Sequence, residues 1–200
     1  RVVAQSARLG RVRRLELAGN AVGPVGAAAV CGSARLPRLE RVGLAGNRVG
    51  LPRLLHLTRP GAVLRVPAVD LSANGLTPDG LRALLASADG AGVRELDLSH
   101  NDLGDEGAWV LAASPHAAGL TSLRLAANQL TDAGADALAA SPHLARLAVL
   151  DVSHNPLGDA GLRAVLGSRA LRGLRRLHYP DAGVSFSTQL ELHARFHRGG

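Results

Sequence analysis

The stretch LDLSHN, residues 96–101, decides the fold, because its final asparagine belongs to a strict series. Every asparagine of the 200-residue chain stands the same number of residues, 27, after the one before it. The series is Asn20, Asn47, Asn74, Asn101, Asn128 and Asn155. A fixed period between about 20 and 50 residues predicts a repeat architecture in which each copy is one structural unit.

One template surrounds each asparagine: apolar, two free, apolar, one free, apolar, two free, asparagine, one free, apolar. The copies occupy residues 12–22, 39–49, 66–76, 93–103, 120–130 and 147–157, and a seventh at 174–184 has Ala182 in place of asparagine. Leu96 and Leu98 alternate with polar neighbours, as in a half-buried strand. An asparagine side chain is both donor and acceptor, so we expect each one to bond backbone groups of neighbouring turns and form a ladder.

The second half of each unit predicts a helix. It opens with motifs such as GDEG (104–107), TDAG (131–134) and GDAG (158–161), in which Thr or Asp is a natural N-cap. Ala- and Leu-rich stretches follow and favour a helix with an apolar face. A recurring glycine, which we expect to let the helix start close to the adjacent turn, stands at positions 26, 80, 107, 134 and 161.

The pattern resembles the leucine-rich repeat, and a strand plus a full helix in 27 residues resembles its ribonuclease-inhibitor-type subclass. The resemblance covers residues 12–184 and implies an α/β right-handed horseshoe solenoid, with a parallel sheet on the concave face and helices on the convex face. It divides a single domain, 1–200, into a remnant of a preceding repeat (1–11), six repeats (12–173), and a degenerate seventh strand with a C-terminal cap (174–200). We expect further sequence before Arg1, and Ser187 or Thr188 as the cap of a final amphipathic helix carrying Leu190, Leu192 and Phe196.

Repeat 2 departs from the pattern. Arg53 replaces the recurring glycine, and Pro52, Pro60 and Pro67 interrupt the second half, so a regular helix over 51–65 is not expected. Sequence drift in a convex segment and a locally distinct docking surface both remain open.

Composition excludes several classes of protein. The chain is 46% hydrophobic, which supports a packed core, and no uninterrupted apolar run is long enough to span a membrane. Cys31 is the only cysteine, which favours a reducing compartment, here the cytoplasm, and we interpret it as a core residue rather than a nucleophile. The net charge is +7, and all of the positive side chains are arginine, since lysine is absent. Aromatic residues are few, so nucleic acid is not the expected partner.

The free strand positions supply the candidate binding residues. In such a solenoid they face the concave side, and their centre is acidic in an otherwise basic protein. The candidates are Glu16, Asp70, Glu95, Asp97, His100, Arg124, Asp151 and His154. Asp70 and Asp97 on adjacent strands have the spacing of a carboxylate pair, but an open sheet lacks the enclosure that catalysis needs. Cross-strand ion pairs around Arg124 are the simpler interpretation.

His100 and His154 occupy equivalent positions two strands apart, roughly 9–10 Å, which is too far for one zinc ion. We therefore expect no metal and no cofactor. Solvated or partner-contacting histidines would make binding pH-sensitive, and an affinity unchanged between about pH 5.5 and 7.5 would count against that hypothesis.

The expected function is non-catalytic binding of a partner protein through the concave face, with a basic patch of the partner opposite Asp70 and Asp97. An extended sheet suits an interface of about 800 Å² per partner better than a small substrate. Similar solenoids include the GTPase-activating protein for Ran and the recognition half of bacterial ubiquitin ligases, so a regulatory or targeting arm of an enzyme is one alternative. Nucleic-acid binding through convex and terminal arginines is another.

Overall fold

Seven short parallel strands build one sheet in the computed structural model, which describes residues 9–49, 65–86, 92–180 and 182–196. The strands lie in chain order. They are β1 (Arg14–Glu16), β2 (Arg41–Gly43), β3 (Ala68–Asp70), β4 (Glu95–Asp97), β5 (Ser122–Arg124), β6 (Val149–Asp151) and β7 (Arg176–His178).

Helices alternate with these strands. They are α1 (Gly23–Cys31), α2 (Pro78–Ala86), α3 (Gly104–Ala113), α4 (Asp132–Ala140), α5 (Asp159–Gly167) and α6 (Phe186–Phe196), with a 3-10 helix at Pro115–Gly119. Within these ranges, none of the helices has the length and apolar character needed to span a bilayer. Of the segment 51–65, in which a regular helix was not expected, only Arg65 lies within the described residues.

The predicted α/β solenoid is confirmed by the strand register. Leu96 pairs with Val69 on one side and with Leu123 on the other, so equivalent positions of successive repeats stand side by side. Leu96, Leu98 and Leu123 are at most 2% exposed, and each such side chain stabilises the fold by about 1.5–3 kcal/mol. Each coil hides its apolar residues only against the coils before and after it.

Asparagine side chains link the turns that follow the strands. Oδ1 of Asn101 accepts hydrogen bonds from the backbone N–H of Asn74 at 3.0 Å and of Leu76 at 2.9 Å, both in the preceding coil. Its Nδ2 donates to the carbonyls of Leu71 at 3.1 Å and Leu98 at 2.8 Å. Asn74 and Asn47, one and two coils earlier, likewise accept from two N–H groups of the preceding coil and donate to one of its carbonyls.

The ladder is not uniform along the chain. Asn20 is exposed, and its side chain donates one hydrogen bond, to the carbonyl of Ala18. Oδ1 of Asn128 is buried without a hydrogen-bond partner among the described residues. The turn after Asn101, in the coil before Asn128, differs from the turns after Asn20 and Asn128. In it the N–H of Asp102 donates to the carbonyl of Leu76, and Asp102 does not adopt the left-handed backbone of the residues that follow Asn20 and Asn128.

A second ladder joins the helix N-termini and corrects one expectation. Asp105 does not cap its own helix: its Oδ1 accepts from the N–H of Thr131 at 2.7 Å and of Gly134 at 3.0 Å, in the next coil. Asp132 accepts in the same way from Gly158 at 2.8 Å, again one coil ahead. The predicted role of Thr is confirmed at Thr131, whose hydroxyl accepts from the N–H of Ala133. The aspartates therefore place a negative charge at the positive end of the following helix dipole.

The recurring glycine makes room for this second ladder. A Cβ on Gly134 would lie 2.5 Å from Oδ1 of Asp105, and a Cβ on Gly161 would lie 2.9 Å from Cα of Asp132. At Gly134 and Gly161 the absence of a side chain therefore lets each helix lie close to the helix before it.

The final helix differs from the prediction in its start. Ser185, rather than Ser187 or Thr188, lies before α6, and its hydroxyl accepts from the N–H of Thr188 at 3.4 Å. Thr188 and Leu192 are fully buried, whereas Leu190 is 59% exposed and points away from the core. The domain boundaries drawn from the sequence stay a prediction.

Asp159 connects α6 to the coil before it. Its Oδ1 accepts from the N–H of Ser185 at 2.8 Å. Hydrogen bonds from Ser185 hold the pKa of the Asp159 carboxyl below its ordinary value. Because the folded-state pKa is lowered, the contact stabilises the fold above the unfolded pKa of about 3.9 and is lost as the pH falls through the lowered value.

Candidate functional site: the concave sheet face

Two columns of side chains cover the exposed face of the sheet. The register aligns Glu16, Gly43, Asp70, Asp97, Arg124, Asp151 and His178 in one column, and Arg14, Arg41, Ala68, Glu95, Ser122, Val149 and Arg176 in the other. Equivalent residues in neighbouring strands stand about 4.8 Å apart. The surface is therefore a shallow two-column array of charged, polar and small side chains.

The aspartates of the first column hold the turns that follow their own strands. Oδ1 of Asp70 accepts from the N–H of Ser72 at 2.8 Å and from its hydroxyl at 2.7 Å. Asp151 binds Ser153 in the same manner, at 3.0 Å and 2.6 Å. The sequence interpretation missed this role, although an Asp-x-Ser motif recurs with the repeat period. One oxygen of each carboxylate is thus committed to the fold, and Oδ2 is left for other contacts.

Asp97 holds the turn that follows its own strand and also forms an ion pair. Its Oδ1 accepts from the N–H of Ser99 at 2.9 Å, and its Oδ2 lies 3.6 Å from Nη1 of Arg124. The expected ion pair across neighbouring strands is therefore present between Arg124 and Asp97. Asp151, on the other side of Arg124, makes no ion pair within the described ranges.

A second ion pair spans two strands. Nη2 of Arg41 lies 2.5 Å from Oε2 of Glu95, and the small side chain of Ala68 separates the two in the column. The sequence interpretation did not anticipate this contact, because it depends on a long arginine reaching over an alanine. Both partners are 40–48% exposed, so the pair adds only about 0–1 kcal/mol to stability.

These pairs surround a polar depression at the centre of the sheet. Its volume is about 60 Å³, and its polar lining comes from Arg41, Asp70, Glu95, Asp97, Ser122 and Arg124. Small-molecule sites enclose about 300–1,000 Å³, so the depression fits one side-chain head group of a partner rather than a metabolite. Among the carboxylates in this lining, Asp70 makes no ion pair with any residue in the described ranges.

The other candidate residues lie outside the depression. Glu16 leans over Gly43, where a Cβ would come within 1.7 Å of its Oε2. His100 and His154 are exposed on turns, with φ of 57° and 56°, and Ala127 occupies the equivalent turn between them. Within the described part of the chain, no three His, Cys, Asp or Glu side chains form a group suited to a metal ion.

Cys31 is the last residue of α1 and packs against the core. Burial raises the pKa of its thiol to about 12, so almost no thiolate forms near neutral pH. We expect iodoacetamide at about pH 8 to alkylate the folded chain at least about a hundredfold more slowly than the chain unfolded in guanidinium. Equal rates in the two states, followed by mass spectrometry, would show that the thiol is accessible and reactive.

The convex side carries a larger groove that the sequence did not reveal. Its volume is about 640 Å³, and its lining includes Leu85, Trp109, Val110, Pro115 and His116. Trp109 on α3 is 55% exposed, although its position in an apolar helical stretch favours burial. The helix therefore turns its largest side chain away from the core.

Comparison with known proteins agrees with the geometry. A family model described as "Leucine Rich repeat" matches residues 12–31, 93–112, 119–139 and 147–166. No curated protein matches the chain. Each matched segment contains one strand and most or all of the helix that follows, in the same register as the structural repeat. Together with the ordered parallel sheet, the matches identify the chain as a leucine-rich repeat protein.

Proposed function

We propose that this chain is a non-catalytic scaffold that binds a partner protein through its concave sheet face. Leucine-rich repeats are in general protein-interaction modules. The supporting observation is the central depression, where Asp70 keeps one carboxylate oxygen without a cationic partner among the described residues, while Glu95 and Asp97 are paired. A guanidinium or ammonium group of the partner would complete this charge pattern.

Two further features of the proposal rest on the sequence. The 27-residue period with a helix in most described repeats supports the ribonuclease-inhibitor-type subclass. The single cysteine supports a cytoplasmic location, because small extracellular domains are commonly stabilised by disulfides. His100 and His154 remain candidates for a pH-sensitive contribution to binding.

Replacement of Asp70 and Asp97 by asparagine is the matched test of the concave face. Asparagine keeps an oxygen that accepts the hydrogen bonds from Ser72 and Ser99 but removes both charges. We expect partners captured by the wild-type chain to bind the D70N/D97N variant about 10- to 100-fold more weakly, with thermal unfolding little changed.

The control is Asp136→Asn, which removes a charge from the exposed surface of α4 without touching the sheet. Captured proteins that bind all three chains with equal affinity would defeat the concave-face proposal. Proteins lost only with D70N/D97N would support it, and the difference in affinity between wild type and this variant should grow at lower salt, because the exposed charge contacts of the wild type strengthen as screening falls.

A further inference from the structure

Because the strands are parallel, they all begin along one edge of the sheet. Near the starts of β6 and β7 this edge is rich in arginine. Arg146 precedes β6, Arg169 and Arg172 lie between α5 and β7, Arg175 directly precedes β7, and Arg176 opens it. The N–H groups of Arg175 and Arg176 both donate to the carbonyl of Ala148, so the two segments lie on adjacent coils. All five side chains belong to exposed residues. We call them the arginine patch.

The patch differs from those arginines that the chain pairs with carboxylates. Examples of such pairs are Arg13 with Glu40 at 2.6 Å, and Arg163 with Glu191 at 3.5 Å. No arginine of the patch forms an ion pair with any residue in the described ranges.

The described carboxylates that are close in sequence make no ion pair with the patch. Asp151 accepts two hydrogen bonds from Ser153 through Oδ1, Asp159 accepts from the N–H of Ser185, and Glu191 pairs with Arg163. The patch is therefore a local concentration of positive charge without an internal counter-charge among the described residues.

Structural roles account for only part of the patch. β7 is the last strand of the sheet, and charges on such a strand oppose aggregation with another sheet. This role accounts for Arg175 and Arg176. Arg169 and Arg172 follow the C-terminus of α5, whose dipole favours a cation, but Arg195 already donates to the carbonyls of Leu166 and Leu171 there. Neither role applies to Arg146.

We propose that the arginine patch binds an acidic segment of the partner protein, a short run of Asp and Glu side chains. This inference rests on the proposed protein-binding function and adds a second contact region beside the concave face. Guanidinium groups bind carboxylates bidentately, and clusters of arginine are a recurring means of recognising acidic motifs.

The composition of the patch favours a polypeptide over a nucleic acid. Residues 146–176 contain no Phe, Trp or Tyr side chain on which a base would stack. Binding through phosphates alone requires a long track of contacts, commonly about 6–10 phosphates. The patch instead covers two neighbouring coils, which matches a few carboxylates of one short segment.

The test uses a fluorescent oligo-glutamate peptide of about ten residues, which spans roughly 30 Å when extended, and the full chain. Fluorescence anisotropy is measured at about 0.15 M salt, where charges beyond about 8 Å are screened. We expect saturable binding that falls at least about tenfold in the R172E/R175E variant. R172K/R175K keeps the charge but loses the planar fork, so we expect an intermediate loss of about threefold.

R11E/R38E is the matched control, since it makes the same charge change at exposed residues near the other end of the same edge. Its affinity for the peptide should stay within about threefold of wild type, and circular dichroism should show all variants folded. An equal loss in this control would overturn the assignment to the patch, because it would show that overall charge alone drives binding. No saturable binding below about 1 mM peptide would also overturn it.

A single-stranded oligonucleotide with about ten phosphates separates the two kinds of polyanion. Tighter binding of the oligonucleotide than of the peptide would replace an acidic protein segment with a nucleic acid. The D70N/D97N variant should bind the peptide like wild type. If concave-face variants lose captured partners while the peptide fails to bind, only the arginine-patch inference is wrong and the proposed function stands.

Discussion

Replacing Asn101 with alanine should lower the free energy of unfolding by about 3–5 kcal/mol. The side chain is 4% exposed and serves the backbone of two coils at once. Its loss leaves the N–H groups of Asn74 and Leu76 and the carbonyl of Leu71 without their partner in a buried turn. Alanine supplies neither a donor nor an acceptor, and water has little access, so each group loses its hydrogen bond without replacement.

Asn20→Ala is the control for this measurement, because Asn20 holds the equivalent position in the first described repeat but is exposed. Its side chain donates one hydrogen bond, to Ala18, so we expect a loss below about 1 kcal/mol. Chemical denaturation followed by circular dichroism measures both values. Similar losses in the two variants would mean that the ladder does not carry the stability we assign to it.

Gly161→Ala is expected to destabilise the protein by about 1–3 kcal/mol, although alanine is the better helix former. The new methyl group would lie 2.9 Å from Cα of Asp132 and 3.0 Å from Cβ of Ala135. These atoms belong to the neighbouring helix backbone and its shortest side chain, so the clash is relieved only by separating α4 from α5. That movement also weakens the hydrogen bond from Gly158 to Asp132.

The control lies in the same helix. A Cβ on Gly167, the last residue of α5, meets no atom within 4 Å. Gly167→Ala should therefore leave stability unchanged or raise it by up to about 1 kcal/mol, since alanine restricts the unfolded chain more than glycine does. Thermal unfolding of both variants is the measurement, and a stable G161A protein would show that the helices tolerate a wider separation.

The two ladders explain why a solenoid with three-residue strands holds its register. Asparagines connect the turns after the strands, and aspartates connect the helix starts, each across one repeat. A one-residue slip of a coil would break both sets together. Each coil is thus tied to its neighbours at two separate points in addition to its apolar contacts.

The sequence alone determined the repeat length, the parallel order of the strands and the membership of the two concave columns. Each of these follows from periodicity: a fixed interval places equivalent residues side by side whatever the details of the coil. The position of Asp70, Asp97 and Arg124 in one column was therefore predictable.

Only the tertiary structure decided which side chains use their polar atoms internally. It bound Asp70 to Ser72, let Arg41 reach over Ala68 to Glu95, and sent Asp105 to the next helix instead of its own. It also turned Trp109 outward and gathered the arginine patch on one edge. Periodicity fixes which coil faces which, whereas these contacts depend on rotamers, side-chain reach and the curvature of loops between coils, which a repeating pattern of apolar residues leaves free.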